Sequence, residues 1–115
     1  AALMTRGNAE MQRLAAFRGA DPTTLSGLSG FGDLVLTCTS DHSRNYRLGL
    51  SIGSGSDFDG TITVEGAATA RAVAVYAQNN ALDLPIAETV AALVEKRLDI
   101  HGATTALLSR SLKEE

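Results

Sequence analysis

The stretch Asp33-Leu34-Val35-Leu36-Thr37-Cys38-Thr39 decides the fold class, because it can be read in two ways. Val35, Leu36, Thr37 and Cys38 form a short apolar, β-tolerant run, and as a strand they would make the chain mixed α and β. A strand needs a partner, and no second run with a hairpin signal lies nearby. Residues 33–39 are therefore read as a helix, on which Asp33 and Thr37, four apart, share a face.

The flanks are helical too. Upstream, Asp21-Pro22 offers an N-cap followed by proline at the first helical position, opening a short helix after a stop at Gly19. Gly27, Gly30 and Gly32 then punctuate the chain. Downstream, residues 42–52 read as a helix with Leu48 and Ile52 four apart, capped by Ser40 or Asp41. Residues 53–60 (GSGSDFDG) read as a loop and 61–64 as a short extended piece. In 69–80, Ala70, Val73, Ala74 and Ala77 fall on one helical face; in 85–97, Ile86, Val90, Leu93 and Val94 do the same. Pro85 and Glu88 suit the first turn of that helix, with Lys96 and Arg97 closing the last. A shorter helix over 103–112 carries Ala103, Ala106, Leu107 and Leu108. Ala1 to Met4 already read as mid-helix with no N-cap, as expected of a chain cut from something longer; a trimmed natural terminus is the alternative. The sum is one all-α domain over 1–115, with about six or seven helices.

Composition narrows the function classes. At 115 residues, 44% hydrophobic and 20% charged, the chain reads as one soluble globular domain. Such a chain can bury roughly two-thirds of its unfolded surface. The net charge of −3, without a basic stretch, leaves no nucleic-acid footprint. No apolar run approaches the ~20 residues of a membrane span, and the first ten residues lack the basic start of a secretory signal. The single cysteine, Cys38, cannot form an internal disulfide; it reads as an inert core thiol, and a cytoplasmic location suits it. His42 and His101 lie far apart without ligands at metal spacing, so no metal site is expected. Gly30-x-Gly32 lacks the third glycine and the preceding strand of a dinucleotide fingerprint.

One cluster can carry chemistry, from Asp33 to Asn45. Ser43, Arg44 and Asn45 fall in the first turn of a helix, where free N–H groups and the dipole favour an anion. Arg44 adds a guanidinium fork that matches a phosphate, while Ser43 and Asn45 add neutral donors. Asp33 can accept from a hydroxyl. Plainer readings of the same residues exist: a Ser-Asp-x-Ser cap, a solvated arginine, and Asp33 as an N-cap. Spacing alone leaves both open.

Taken together with its flanks, the cluster resembles the signature region of the bacterial NAD(P)-dependent glycerol-3-phosphate dehydrogenases. The matching pieces are Leu3-Met4-Thr5-Arg6-Gly7 with Ala9-Glu10, then Gly27-Leu28-Ser29-Gly30-Phe31-Gly32-Asp33-Leu34, Leu36-Thr37-Cys38 and Ser43-Arg44-Asn45. Val64-Glu65-Gly66, Leu84-Pro85-Ile86 with Glu88, and Leu108-Ser109-Arg110-Ser111-Leu112-Lys113 extend the likeness almost end to end.

The resemblance implies a two-domain enzyme: an N-terminal Rossmann domain for the nucleotide and a helical C-terminal domain like that of 6-phosphogluconate dehydrogenase. The reaction it implies interconverts dihydroxyacetone phosphate and sn-glycerol 3-phosphate with NAD or NADP, feeding glycerophospholipid synthesis. By motif, Asp33, Thr37, Ser43, Arg44 and Asn45 bind substrate, and Arg44, Thr63 and Glu65 reach the cofactor. The family's catalytic lysine lies upstream of the Leu-x-Thr-Arg-Gly motif and has no counterpart here, so this chain by itself is expected to be inactive. Implied partners are a phosphorylated small molecule, the chain's own Rossmann domain and, in some members, a second copy as a homodimer. Two departures stand out. The loop from Gly53 to Val64 is short for the family, and Thr63 replaces an aliphatic residue. Two other readings remain: a free-standing helical interaction module, and a related dehydrogenase domain for another phosphorylated substrate.

Overall fold

Six α-helices and two tight helical turns carry residues 1–57, 59–60 and 64–110, which are those described by a computed structural model; no strand occurs among them. The ambiguous stretch is helical. α1 (Ala2–Phe17) ends where Gly19 takes φ +81, and the Ala20 N–H then reaches back to the Ala15 carbonyl at 2.9 Å. A 3-10 turn (Pro22–Ser26) follows, opened by Asp21, whose carboxylate accepts from the Thr23 N–H and hydroxyl at 3.0 and 2.8 Å. Those two bonds hold the Asp21 pKa below the ordinary aspartate value. A π-turn (Leu28–Gly32) then runs straight into α2 (Asp33–Cys38). α3 (Arg44–Ser54), α4 (Glu65–Asn79), α5 (Pro85–Val94) and α6 (Ile100–Leu108) complete the domain.

Gly30 is buried at the junction of the two turns. A Cβ there would lie 2.2 Å from the Leu25 carbonyl oxygen and 2.5 Å from the Leu25 Cα, both backbone atoms, so only glycine fits. The glycine that read as punctuation is thus a packing requirement, and it sets where α2 begins.

The core is built from alanine. Ala70 and Ala74 of α4 pack against Ala91 of α5, flanked by Val90; Ala77, Ala92 and Ala103 are also buried. Leu84, 1% exposed, is the one large side chain buried that completely among the described residues. Small side chains let α4 and α5 approach closely but remove little apolar area per residue. Polar stitching by α1 supplements this core. Arg6 donates to the Leu107 carbonyl at the end of α6 (2.9 Å), and Arg13 to the Asp83 carbonyl (3.0 Å). Arg18 lies over the Tyr76 ring, 5.7 Å from its centroid, and Phe17 meets the same ring edge-on.

Glu10 makes the tightest of these links. It is 7% exposed, and its carboxylate accepts from the N–H groups of Ile86 and Ala87 in the first turn of α5. Leu84 precedes α5 and supplies no side-chain cap, so α1 caps α5 across the domain. Burial raises the Glu10 pKa above its ordinary value, outweighing the two N–H groups and Arg13, which lower it. The folded state therefore holds this proton more tightly than the unfolded chain, and stability falls as pH rises through the raised pKa. Glu10→Gln is expected to flatten that fall in pH-dependent denaturation curves. Glu10→Ala, which leaves two buried donors unpaired, should cost about 2–3 kcal/mol below the raised pKa and less above it.

Element ends differ from the sequence reading for identifiable reasons. Ser43, not Ser40 or Asp41, caps α3, because its side chain accepts from the Tyr46 N–H; Ser40 instead accepts from the His42 N–H in the preceding turn. α3 runs on to Ser54, past the expected stop at 52, and ends on Gly55 at φ +70. α4 starts at Glu65 rather than at 69. α5 stops at Val94, so Lys96 and Arg97 lie beyond the helix: Lys96 takes φ +59 and the Arg97 N–H closes on the Ala92 carbonyl at 2.9 Å. α6 begins at Ile100 because Asp99 accepts from the Gly102 N–H at 2.7 Å. Of the extended piece expected at 61–64, residues 61–63 lie outside the described residues, while Val64 is extended; α6 ends at Leu108, short of the expected 112, with Ser109 as its C-cap. Cys38 is exposed, not a core thiol, since α2 turns Leu34 and Val35 inward and Leu36 to Cys38 outward. Ala81 holds φ +53 at the end of α4, where an L-residue is strained. Ala81→Gly is expected to stabilise the protein by roughly 1 kcal/mol in chemical denaturation.

Candidate functional site

The described candidate residues fall into two groups, each beside a cleft. The first cleft, about 390 Å³, lies among α1, the two turns and α2. Met11, Leu14, Leu25 and Leu34 form its apolar walls, and Ser29, Asp33 and Thr37 its polar edge. Asp33 is the first residue of α2 and is exposed, so its carboxylate can meet a ligand hydroxyl without prior burial. The Thr37 hydroxyl donates to the Asp33 carbonyl at 3.0 Å, and its oxygen keeps the capacity to accept.

The second centre is the start of α3. Ser43 is its N-cap, and Arg44 and Asn45 are its first two residues, all within the turn whose N–H groups have no helical partner. Arg44 and Asn45 are exposed. The Asn45 side chain does more than point outward. Its Oδ1 accepts from the Gly66 N–H at 3.0 Å. Gly66 is the second residue of α4, and Val64 before it supplies no side-chain cap. Asn45 therefore caps α4 from α3 and draws two helix starts into one corner, with Glu65 as the residue beside Gly66. A cleft of about 350 Å³ opens next to this corner, with Asn45 and Gly66 at its rim and Leu48, Ile52, Val90 and Leu93 as apolar wall.

The structure thus groups Asp33 with Thr37, and Ser43, Arg44 and Asn45 with Glu65. Thr63 lies outside the described residues. Among the described residues no group of three histidine, cysteine or acidic side chains is placed to hold a metal, and no helix is long and apolar enough to cross a membrane.

Residues 1–105 match the family described as the C-terminus of NAD-dependent glycerol-3-phosphate dehydrogenase. The chain belongs to this glycerol-3-phosphate dehydrogenase C-terminal family. Curated relatives named glycerol-3-phosphate dehydrogenase [NAD(P)+] include one from Roseobacter denitrificans, 71% identical over 115 residues, and one from Ruegeria, 65% identical. Each alignment covers all of this chain and 36% of the relative, so the chain spans about a third of their length. A crystal structure of glycerol-3-phosphate dehydrogenase from Coxiella burnetii superposes with a TM-score of 0.86 at 40% identity, covering 95% of this chain and 35% of that one. The all-α architecture is therefore that of the family's C-terminal domain.

Three residues that shape the site escaped the reading by spacing. Gly30 fixes the entry to α2, Glu10 anchors α1 to α5, and Gly66 holds Asn45. Glu10 and Gly66 work through contacts distant in sequence, and Gly30 through a close backbone approach to Leu25 that spacing does not reveal. The available signal was their place inside the family motifs.

Proposed function

We propose that this chain is the helical substrate-binding domain of a two-domain enzyme that interconverts dihydroxyacetone phosphate and sn-glycerol 3-phosphate with NAD(P)H, supplying glycerophospholipid synthesis. The joined starts of α3 and α4 carry the reading, because two positive dipole ends and the Arg44 guanidinium belong to one corner, a combination that suits a phosphate. Ser43, Arg44 and Asn45 hold the substrate there, and Asp33 with Thr37 takes the hydroxyl end. This is a positioning role, which sets C2 toward the cofactor.

NAD or NADP, when bound, supplies or accepts the hydride. A guanidinium, a carboxylate and two helix starts suit a ligand bearing phosphate, hydroxyl and amide groups, so Arg44 and Glu65, with Thr63, are the residues of this chain that would hold it. The acid-base lysine belongs to the segment upstream of Leu3-Met4-Thr5-Arg6-Gly7, with the Rossmann domain. Leu28, 92% exposed, with Phe31 and Leu36 beside Asp33, supports closure of that domain over the first cleft. The reading includes a cytoplasmic location and a homodimer of the full-length protein.

The test is cofactor oxidation by the purified full-length protein. Addition of dihydroxyacetone phosphate is expected to consume NADH or NADPH, and residues 1–115 alone are expected to consume neither. A full-length protein inert with both cofactors, or turnover by the 115-residue chain, would overturn the proposal.

A further inference from the structure

We propose that Gly66 is a positioning residue that fixes which end of the Asn45 amide faces the substrate. The inference rests on the reading that the start of α3 binds the phosphorylated substrate. An N–H group can only donate, so the Asn45 atom 3.0 Å from the Gly66 nitrogen must be the oxygen. With Oδ1 taken up by this bond, Nδ2 is the end of the amide left to meet a ligand, and it can only donate. A free asparagine at a helix start can flip its amide and present a carbonyl oxygen, which repels a phosphate. The Gly66 N–H removes that choice.

Gly66 also supplies the room. A Cβ on Gly66 would lie 2.4 Å from Asn45 Oδ1, 2.7 Å from its Cγ and 3.0 Å from Nδ2. Any side chain there pushes the whole amide off its place, while the clash falls on a side chain and not on backbone. Gly66→Ala therefore acts on Asn45 first. Because Gly66 neighbours Glu65 at the start of α4, the same bond ties the substrate side of the corner to the side proposed for the cofactor.

The test is a double-mutant cycle in the full-length protein, reading KM and kcat for dihydroxyacetone phosphate with thermal midpoints alongside. Gly66→Ala is expected to raise KM about tenfold, equal to about 1.4 kcal/mol, with kcat within about threefold. In an Asn45→Ala background the same change should leave KM within about twofold, since the residue it displaces is gone. If Asn45→Ala alone leaves KM unchanged, the substrate assignment of this corner falls and the inference with it. If Asn45→Ala raises KM but Gly66→Ala does not, or the two effects add, only the positioning role falls. Should Gly66→Ala fail to fold, Asn45→Asp decides: it keeps the capping oxygen and replaces the donor end by an anion. Its thermal midpoint should hold while KM rises at least tenfold; an unchanged KM would overturn the inference.

Discussion

Replacing Arg44 by alanine in the full-length protein is expected to lower kcat/KM for dihydroxyacetone phosphate by roughly 10³-fold, the loss typical of truncating one partner of a desolvated charge pair. Arg44 is the first residue of α3, and under the proposed function its guanidinium and the helix's positive end act on the same anion. The side chain is exposed, so the effect should appear in rate and not in folding stability. Arg44→Lys keeps the charge but loses the planar fork and should recover only part of the loss. Dihydroxyacetone, which lacks the phosphate, supplies the control. Its poor kcat/KM should change by less than about threefold, because the interaction removed is one it never makes. Equal losses for both substrates would show that Arg44 acts on something other than the phosphate.

Gly30→Ala is expected to destabilise the protein by about 3 kcal/mol or more, with a parallel fall in activity. The new methyl would meet the Leu25 oxygen at 2.2 Å and the Leu25 carbonyl carbon at 2.6 Å, and neither can turn away as a side chain does. The strain must open the junction between the 3-10 turn and the π-turn, where the Gly30 and Gly32 N–H groups both bond the Gly27 carbonyl. Asp33 begins α2 directly after that junction, so it moves with it. Gly27→Ala is the contrasting change. Its Cβ would sit 3.5 Å from the Thr24 oxygen, an ordinary contact, and its φ of −88 suits alanine. Denaturation midpoints at unchanged slope should separate the two variants by several times the loss at Gly27. Similar losses would refute the packing role of Gly30.

What was legible in the sequence depended on range. The helix over Asp33 to Cys38 was recoverable because a strand needs a partner and none was written nearby. Asp21-Pro22, Gly19 and Pro85 announced their turns because a cap or a stop is decided within a few residues. Ends set by remote contacts were not legible. The start of α4 at Glu65 depends on Asn45, which lends an acceptor to the N–H of Gly66, twenty-one positions later. The end of α5 depends on a left-handed Lys96, a residue whose identity does not call for that conformation. Cys38 sat in an apolar run, but a six-residue helix with one face inward leaves its last residue outside.

The candidate site divides in the same way. Ser43, Arg44 and Asn45 were legible as residues of a helix start because such starts are decided locally, and the family motif singled out the same three. That Asn45 spends its oxygen on α4 and presents only its nitrogen was not legible, since it requires knowing what α4 lacks. Asp33 and Thr37 do share a helical face, as four-residue spacing requires, and they share the first cleft. What spacing could not give is the relation between that cleft and the corner at Arg44.

The most direct measurement is a crystal structure of the full-length protein with dihydroxyacetone phosphate and oxidised cofactor, a pair that cannot react. The expected result is one substrate molecule spanning both groups, with its phosphate end held by Arg44 and Asn45 Nδ2 and its hydroxyl end accepted by Asp33. A substrate bound with Arg44 turned away, or held without any contact to Asp33, would contradict the assignment of this domain as the substrate grip.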